Sequence, residues 1–399
     1  RTTEKRHVTA AQKLWNACQE DIYKKSYEGL YCTGCEQFYL EKDLVGGLCP
    51  EHKTKPEHIM EENYFFKLSR YQSFLEKAFA NGRIRIHPEK RAHETINFIK
   101  EGLQDFSISR SNERAKNWGV GVPDDPAQKM YVWFDALANY ISALGYGGAD
   151  ESSFNDFWLD GDILHVIGKG ITKFHAIYWP AMLEAAGIFP ANGIDILVHG
   201  YVTIDGEKIS KSLGNTVDPF ALVEKYGADA LRYFLLREIP TTEDGDYSEE
   251  KFAQRYNGDL ANGLGNLVSR TATLGEKHAL GSLQAVDGPL ATVPAEPNLL
   301  KRFQLHKCLE TLWTHVIRAN QYVDEQKPWT QSGENLERTL ATLAMLILNI
   351  ALRLRPFLPH TAEDIFKRFG VDPDAKTTDT SLQLSVKKGE PLFKRISNT

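Results

Sequence analysis

The sequence predicts an α/β domain followed by an all-α domain, and three patterns support this prediction. Residues 163–198 alternate short apolar runs with a helical segment, which is typical of a parallel α/β sheet. Residues 31–53, which contain several Gly and Cys, indicate short strands and turns. After residue 248 the apolar residues recur at helical spacing over long stretches. We therefore expect an α/β unit that carries a small insert, and a helical bundle after it.

The composition is that of an ordinary globular protein. Of the 399 residues, 42% are hydrophobic and 25% are charged, which excludes wholesale disorder, and the length indicates two to three domains. The net charge of −6 excludes a strongly basic nucleic-acid coat but is compatible with a local basic surface. The longest apolar run, residues 340–352, is shorter than the ~20 residues that span a bilayer, so it predicts a buried helix and no membrane segment.

Periodicity and turn residues predict the individual elements. An amphipathic helix over residues 9–24 comes first, and helical patterns return at 61–67 and 70–80, where Asn81 and Gly82 end them. After a turn at 123–126, we expect strands at 130–134, 163–167 and 194–198, and helices at 136–144, 172–186 and 219–236. A helix that ends at Pro328 and a helix over 340–354, stopped by Pro356 and Pro359, complete the prediction.

Five cysteines in a chain of this length are too few for a disulfide scaffold, which fits a reducing compartment. Three of the five lie within 18 residues. Cys32 and Cys35 are separated by two residues, and after thirteen more residues Cys49 and His52 repeat that gap. Each gap lets a tight turn direct two ligands at one point, so the four side chains suit a tetrahedral, structural Zn²⁺. The alternatives are cadmium, or three unpaired cysteines on a compact turn.

The most informative loop is GYVTIDGEKISKSLGN, residues 200–215, with two lysines three positions apart, Lys208 and Lys211. Such a loop can neutralise charge that develops on a polyphosphate. Two lysines at this spacing are, taken alone, more often part of a solvated surface loop. The surrounding residues therefore decide the interpretation.

The string KISKSLGN (208–215) resembles the KMSKS signature of class I aminoacyl-tRNA synthetases, with Ile209 in the position of the Met. Five further strings narrow the resemblance to the methionyl-tRNA synthetase family. They are YEGLYCTGCEQFYLEKDLVGGLCPEH (27–52), EENYFFKLSRYQ (61–72), MYVWFDALANYI (130–141), HVIGKGITKFHAIYWPAML (165–183) and NQYVDEQKPW (320–329). The resemblance extends over essentially the whole chain.

This resemblance implies a fold and a division into domains. The fold would be the second half of a class I Rossmann catalytic domain with a small zinc-bearing insert, followed by a helical-bundle anticodon-binding domain. The implied parts are the end of the first Rossmann half (1–25), the connective insert (26–111), the second Rossmann half (112–204), the lysine loop with a stem-contact region (205–250) and the anticodon-binding domain (251–399).

The implied activity is that of an ATP-dependent ligase. The carboxylate of L-methionine would attack the α-phosphate of ATP, which enters with Mg²⁺, and the methionyl group would then pass to tRNA(Met). Neither step needs a covalent enzyme nucleophile, so the tasks are positioning and stabilisation of phosphate charge. By resemblance, Lys211 and Lys208 are catalytic. The implied ATP-binding residues are Lys208, Ile209, Ser210, Lys211, Gly200, Tyr201 and Gly170.

One ATP-binding position departs from the family pattern, and one further catalytic candidate has an alternative interpretation. The family usually has Asp where this chain has Gly170, and glycine can offer ATP only a backbone contact. Arg110, in the string SISR, matches a family arginine near the reaction centre and is the third catalytic candidate. Its alternative is a surface salt bridge.

The resemblance also implies a methionine pocket. Its residues are Trp133, Leu137, Tyr140, Ile171, His175 and Trp179. The spacing supports this independently. Trp133, Leu137 and Tyr140 would fall on one helical face, and Ile171, His175 and Trp179 would fall on one face of a second helix. Such stripes are ordinarily core packing, and only the surrounding motifs favour a pocket. Leu137 stands where bacterial members of the family have Pro.

A third site is implied near the C-terminal end. Asn266, Arg270 and Trp329 match the anticodon-reading positions of the family. The first two are one helical turn apart, and Trp329 could stack on an unpaired base. Without the resemblance, Trp329 would be interpreted as a residue that covers the core at a helix end.

The HIGH signature, whose histidines help to bind ATP in this family, does not occur in the sequence. We therefore expect a separate N-terminal fragment of the same enzyme to supply the first Rossmann half. The alternative is a catalytically incomplete fragment that binds tRNA. The cytoplasm is the expected compartment, and an organelle is the alternative.

Overall fold

The computed structural model describes residues 1–34, 37–51, 53–204, 206–209, 216–282, 293, 297–374 and 383–396. The chain divides into two compact units, Arg1–Val198 and His199–Thr399. Val202 and Ile204 pack against the core of the second unit. The finer division into five parts stays a prediction.

The first unit combines helices and strands, as predicted. Its helices are α1 (Lys5–Ala17), α2 (Gln72–Ala80), α3 (Glu89–Lys100), α4 (Val132–Ser142), α5 (Ser152–Phe154) and α6 (Trp179–Ala185). Its strands are β1 (Ile22–Cys32), β2 (Gln37–Tyr39), β3 (Glu57–Phe66), β4 (Ile84–His87), β5 (Phe106–Ser107), β6 (Ser109–Ser111), β7 (Gly121–Val122), β8 (Asp125–Met130), β9 (Ile163–Gly168) and β10 (Ile194–His199). π-Helical turns cover Asn155–Leu159 and Phe174–Tyr178.

The described strands of this unit form three sheets, with the orders β2-β1-β3-β5, β4-β10-β9 and β6-β8-β7. The parallel pairing expected from the sequence is present between β4 and β10, where Ile84 pairs with Ile194 and His87 with Leu197. Strand β4 lies inside the range predicted for the insert, 26–111. Part of that range therefore belongs to the α/β sheet.

Several predicted elements of the first unit differ from the observed ones. In the stretch 61–67, predicted as helical, residues 61–66 form the end of β3, because β3 pairs with β1 from Ile22↔Phe66 to Tyr31↔Glu57. A strand was predicted at 130–134, but the observed strand β8 ends at Met130 and α4 begins at Val132. The first helix runs over Lys5–Ala17 rather than residues 9–24, and residues 22–24 belong to β1.

One hydrophobic core holds the first unit together. Helix α1 packs on α4, and Leu14, Phe134 and Ile141 are fully buried there. Trp179, at the start of α6, is 0% exposed in the same core. The core therefore fixes α4 and the segment before α6, the two elements that carry the predicted methionine pocket.

The second unit is mainly helical, as predicted. Its helices are α7 (Pro219–Tyr226), α8 (Ala228–Arg237), α9 (Glu249–Arg255), α10 (Asn266–Lys277), α11 (Pro297–Lys301), α12 (Leu305–Gln326), α13 (Gly333–Leu354) and α14 (Pro359–Phe369). Strands β11 (Val202–Ile204), β12 (Glu207–Lys208) and β13 (Gly245–Tyr247) form a small sheet, and Tyr256–Gly265 is π-helical.

Two turn residues shape this unit in ways that periodicity did not show. The helix predicted over 219–236 is interrupted at Gly227, whose φ of +86° separates α7 from α8. Pro359, predicted only to stop a helix, occupies the first turn of α14, where its missing N–H costs no hydrogen bond.

Helix α13 is the central helix of the second unit. By length and composition it is apolar enough to cross a membrane, but 78% of its most apolar window is buried inside the protein. Leu340, Ile347 and Leu354 are almost completely buried in the core. The buried helix expected at 340–352 is confirmed, and it begins earlier, at Gly333.

Candidate active site

The first unit brings the predicted methionine-pocket residues together. Trp133 and Tyr140 project from α4, and their ring centroids lie 6.2 and 5.7 Å from that of His175. The ring of Tyr140 is also 6.4 Å from that of Trp179. Leu137 is buried on α4 between Trp133 and Tyr140. The spacing argument therefore identified side chains that meet in space.

A hydrogen-bond chain fixes the chemistry of His175. Its Nδ1 lies 3.0 Å from the carbonyl oxygen of Ile171, which can only accept, so Nδ1 carries the proton. Nε2 then has a free lone pair and accepts a 2.9 Å hydrogen bond from the hydroxyl of Tyr140. Burial lowers the pKa of His175 and raises that of Tyr140. The cluster thus presents a neutral imidazole and a phenol, and its role as a methionine pocket stays a prediction.

Three aromatic residues that the sequence analysis missed complete this cluster. Phe174 stacks on Trp133 with 4.1 Å between centroids and 8° between planes. The ring centroid of His165 lies 4.5 Å from that of Tyr140 and 6.1 Å from that of Trp158. Burial and the neighbouring His175 lower the pKa of His165 to about 3, so it is neutral as well. The sequence did contain one signal for His165, because side chains in a strand alternate between two faces and His165 shares its face with the apolar Ile167.

The aromatic cluster contains two buried polar atoms for which the described residues offer no hydrogen-bond partner. They are Nε2 of His165, on a side chain 4% exposed, and Nε1 of Trp179, on one 0% exposed. Both residues contact the rings of Tyr140 and Trp158. Because an unpaired buried polar group is costly, a ligand or water that bonded to these atoms would stabilise the cluster.

A second buried network joins the N-terminal helix to α4. His7, 2% exposed on α1, pairs through Nε2 with Asp135 and lies 3.0 Å from Ser142 Oγ through Nδ1. Asp135 is two residues from Trp133, so this network orients the beginning of the pocket helix. No spacing rule could reveal it, because the partners are 128 and 135 positions apart.

Arg110, for which a surface salt bridge was the alternative interpretation, is 7% exposed. Its Nη1 donates to Ser107 Oγ at 2.8 Å and to the carbonyl of Ser109 at 2.7 Å. The guanidinium lies 4.5 Å from the ring centroid of Tyr131, directly before α4. Its catalytic role stays a prediction.

Gly170 follows β9 in a short turn, Lys169–Ile171, and is exposed. It precedes Ile171, whose carbonyl holds His175. This placement at the end of a strand suits contact with a ligand. An ATP contact by Gly170 stays a prediction.

In the second unit, the start of the lysine loop is a β-hairpin. Strand β11 pairs with β12 through Thr203↔Lys208 and with β13 through Thr203↔Asp246. Gly200 precedes it at a point where a Cβ atom would lie 1.8 Å from the carbonyl oxygen of Glu243, so only glycine fits. Tyr201 donates its N–H to Asp244 at 2.8 Å. Of the predicted ATP-binding residues, Ser210 and Lys211 lie outside the described residues, as does the Lys208 side chain.

The predicted anticodon-reading residues also meet in the second unit. The guanidinium of Arg270 lies 5.1 Å from the ring centroid of Trp329 and pairs with Asp324 at 3.1 Å. Asn266 begins α10, one turn before Arg270. Trp329 follows Pro328 in a short turn and remains 53% exposed, so a face of the indole is accessible.

Two of the four predicted zinc ligands belong to the described part of the chain, in which no group of three or more His, Cys, Asp or Glu side chains could hold a metal ion. Cys32 and Cys49 are each 1% exposed. The N–H groups of Lys53 and Cys49 donate to the carbonyls of Cys49 and Thr54 at 2.8 and 2.9 Å, which forms a tight turn after Cys49. Cys35 and His52 lie outside the described residues. The zinc site therefore stays a prediction.

Comparison with known proteins defines first the class and then the family. Residues 297–389 match the family described as "Anticodon-binding domain of tRNA ligase", which agrees with the helical unit and its exposed Trp329. Residues 1–58 and 52–272 match "tRNA synthetases class I (M)". Since that match spans more than half of the chain, the protein belongs to the tRNA synthetases of class I (M).

Individual relatives agree with this assignment. The chain is 42% identical to the methionine–tRNA ligase of Caldanaerobacter subterraneus subsp. tengcongensis, over 99% of this chain and 65% of that protein. It is 40% identical to that of Clostridium acetobutylicum, over 99% and 64%. It therefore spans slightly less than two thirds of the length of these relatives.

A solved structure is similar over nearly the whole fold. Mycobacterium tuberculosis methionyl-tRNA synthetase, in complex with methionyl-adenylate, has a TM-score of 0.88 and is 35% identical, over 99% of this chain and 82% of that one. The apo form has a TM-score of 0.85 at 33% identity, over 100% and 83%.

Proposed function

We propose that this chain is the methionine- and tRNA-binding part of a methionine–tRNA ligase. The observation that carries the proposal is the neutral aromatic cluster around Tyr140 and His175. A thioether side chain is apolar, flexible and a weak acceptor, so it is selected by shape, by aromatic contact with sulfur and by a few donors. The cluster offers all three, and the relatives carry this activity in their names.

The reaction follows from the substrates that these sites would hold. The carboxylate of methionine attacks the α-phosphate of ATP, bound as its magnesium complex, and pyrophosphate leaves. The terminal hydroxyl of tRNA(Met) then attacks the activated carbonyl, and AMP leaves. Lys208 and Lys211 would stabilise charge on the phosphates. The remaining ATP contacts proposed are Ile209, Ser210, Gly200, Tyr201 and a backbone group of Gly170. Arg110 is the third catalytic candidate.

We further propose a structural Zn²⁺ held by Cys32, Cys35, Cys49 and His52. When bound, the metal would cross-link two turns and supply no catalytic chemistry, since four protein ligands leave no open position. Cys32 and Cys49 already hold buried positions at the base of these turns.

A further segment of the same enzyme is proposed to cover strand β9. In the described sheet β4-β10-β9 this strand lies at an edge, and it exposes Leu164 at 45% and Val166 at 60% while His165 and Ile167 are buried. Apolar edge strands are normally paired or covered. An N-terminal fragment would suit this edge, and the cytoplasm stays the expected compartment.

Methionine-dependent exchange of pyrophosphate into ATP tests the proposed function. We expect exchange when methionine is present and none with leucine, and a second species beside the 45 kDa chain when the active particle is denatured. If no particle that contains this chain shows exchange, but the chain still binds tRNA(Met), the alternative of a tRNA-binding fragment is correct instead.

A further inference from the structure

One carboxylate outside the predicted site joins the lysine-loop hairpin at two points. Oδ1 of Asp246 accepts the hydroxyl of Thr203 at 2.9 Å and the backbone N–H of Gly206 at 3.0 Å. Thr203 lies in β11, and Gly206 forms the turn between β11 and β12 with a φ of +76°. A single oxygen thus ties the strand and the turn of the hairpin to β13.

The strand register places this carboxylate beside a predicted catalytic position. Lys208 pairs with Thr203 across β12 and β11, and Thr203 pairs with Asp246 across β11 and β13. The three residues therefore form one row across the sheet. Any displacement of the hairpin relative to β13 would displace Lys208 and the start of the loop that follows it.

The neighbouring residues hold the other end of the hairpin. Tyr201 donates its N–H to Asp244 and accepts the N–H of Gly245 at 3.0 Å, while Gly200 donates to the carbonyl of Thr241 at 3.2 Å. The hydrogen bonds from Gly206 and Thr203 lower the pKa of Asp246, so its carboxylate is ionised near neutral pH and both bonds are charge-assisted.

We propose that Asp246 is a positioning residue for adenylate formation, which holds the β11–β12 hairpin so that Lys208 and the residues after it meet the phosphates of ATP. The inference rests on the proposed function. In this role Asp246 would contact neither substrate nor the reacting atoms. It acts by restricting the hairpin before ATP arrives, so that less ordering is needed in the transition state.

The test uses Asp246→Ala and Asp246→Asn in the enzyme that supports exchange. Asparagine keeps an acceptor oxygen but loses the charge, so its effect should be intermediate. Asp372→Asn is the matched control, since Asp372 also accepts a main-chain N–H two residues on, from Asp374 at 2.9 Å, but lies outside the hairpin. Melting curves identify any variant that fails to fold.

Two measurements separate positioning from general stability. In Asp246→Ala, tryptic cleavage after Lys208 should accelerate about fivefold or more, since cleavage follows the population of the open hairpin. The kcat of pyrophosphate exchange should fall about tenfold or more with the KM for methionine unchanged. Asp372→Asn should behave as wild type in both.

The opposite outcomes are distinct. A wild-type cleavage rate in Asp246→Ala, or faster cleavage with an unchanged kcat, would overturn the inference while the proposed function stands. Absence of exchange in the wild-type enzyme would overturn the proposed function and, with it, the catalytic part of this inference.

Discussion

At the scale of single residues, the direction of one hydrogen bond determines how the pocket can treat a ligand. Because His175 Nδ1 donates its proton in a hydrogen bond to the carbonyl of Ile171, Nε2 is an acceptor and the hydroxyl of Tyr140 must donate to it. The hydroxyl keeps its own lone pairs, and the pocket gains no charge. Such a site favours an apolar side chain over a charged one of similar length.

We expect Tyr140→Phe to raise the KM for methionine about three- to tenfold with little change in kcat, because it removes one neutral hydrogen bond and leaves Nε2 of His175 unpaired. Steady-state exchange kinetics measure this effect. Tyr146→Phe is the control, since Tyr146 is also buried but the described residues give its hydroxyl no hydrogen bond. An equal effect of the two substitutions would contradict the role given to Tyr140.

His165 makes the folded protein sensitive to acid. Its pKa of about 3 in the folded state lies below the ~6.5 of an unfolded histidine, so only the unfolded state gains a proton as the pH falls. The resulting stability is complete above about pH 6.5 and is lost between there and pH 3. Between pH 7 and pH 5 this loss amounts to about 2 kcal/mol.

We expect His165→Phe to remove that part of the acid sensitivity. Urea unfolding of the variant at pH 7 and pH 5 should show a difference in unfolding free energy about 2 kcal/mol smaller than in the wild type. His278→Gln, at an exposed position, is the control. A pH dependence identical to that of the wild type would show that His165 can take up a proton in the folded state.

At the scale of elements, the sequence predicted what depends on local pattern and missed what depends on pairing. The apolar strands Ile163–Gly168 and Ile194–His199 were predicted almost to the residue. Strand β8, Asp125–Met130, is polar and contains Pro126, and it is a strand because β6 and β7 pair with it on both sides. In strand β3 the neighbouring residues Phe65 and Phe66 are both buried, so its sequence does not alternate between apolar and polar residues and gave no strand signal.

The same distinction applies to the site. Trp133 and Tyr140 could be predicted from helical spacing, since both lie on α4. The stacking of Phe174 on Trp133 and the pairing of His7 with Asp135 arise from packing between elements far apart in the chain, and no local signal encodes them. Gly200 was predicted as an ATP contact, but the structure gives it a second reason, its close approach to Glu243.

The segment between the end of β1 and the start of β3, residues 31–56, provides a prediction at the scale of elements. If Zn²⁺ joins its turns, a chelator should expose residues 31–56 to hydrogen exchange while the rest of the first unit stays protected, because metal binding and local folding are coupled. Cys49→Ala should have the same effect without a chelator. Cys18→Ala, another buried cysteine, is the control. Unchanged protection after chelation would contradict the zinc site.

At the scale of the whole molecule, the proposed function gives the two units different recognition tasks. The first unit contains the aromatic cluster proposed to bind methionine, and the second contains Arg270 and the exposed Trp329, which are proposed to read the anticodon. The indole has Arg270 against it and is still 53% exposed, so it can stack on a base without rearrangement. A substitution in one unit should therefore separate the two half-reactions.

We expect Trp329→Ala to lower kcat/KM for charging of tRNA(Met) about 10- to 100-fold, since stacking on one base contributes about 1–3 kcal/mol. Pyrophosphate exchange, which needs no tRNA, should stay within twofold of the wild type. Trp329→Phe, which keeps an aromatic face, should restore most of the charging. Equal losses in both half-reactions would mean that Trp329 supports the fold of the second unit, whereas loss of charging alone assigns it to RNA recognition.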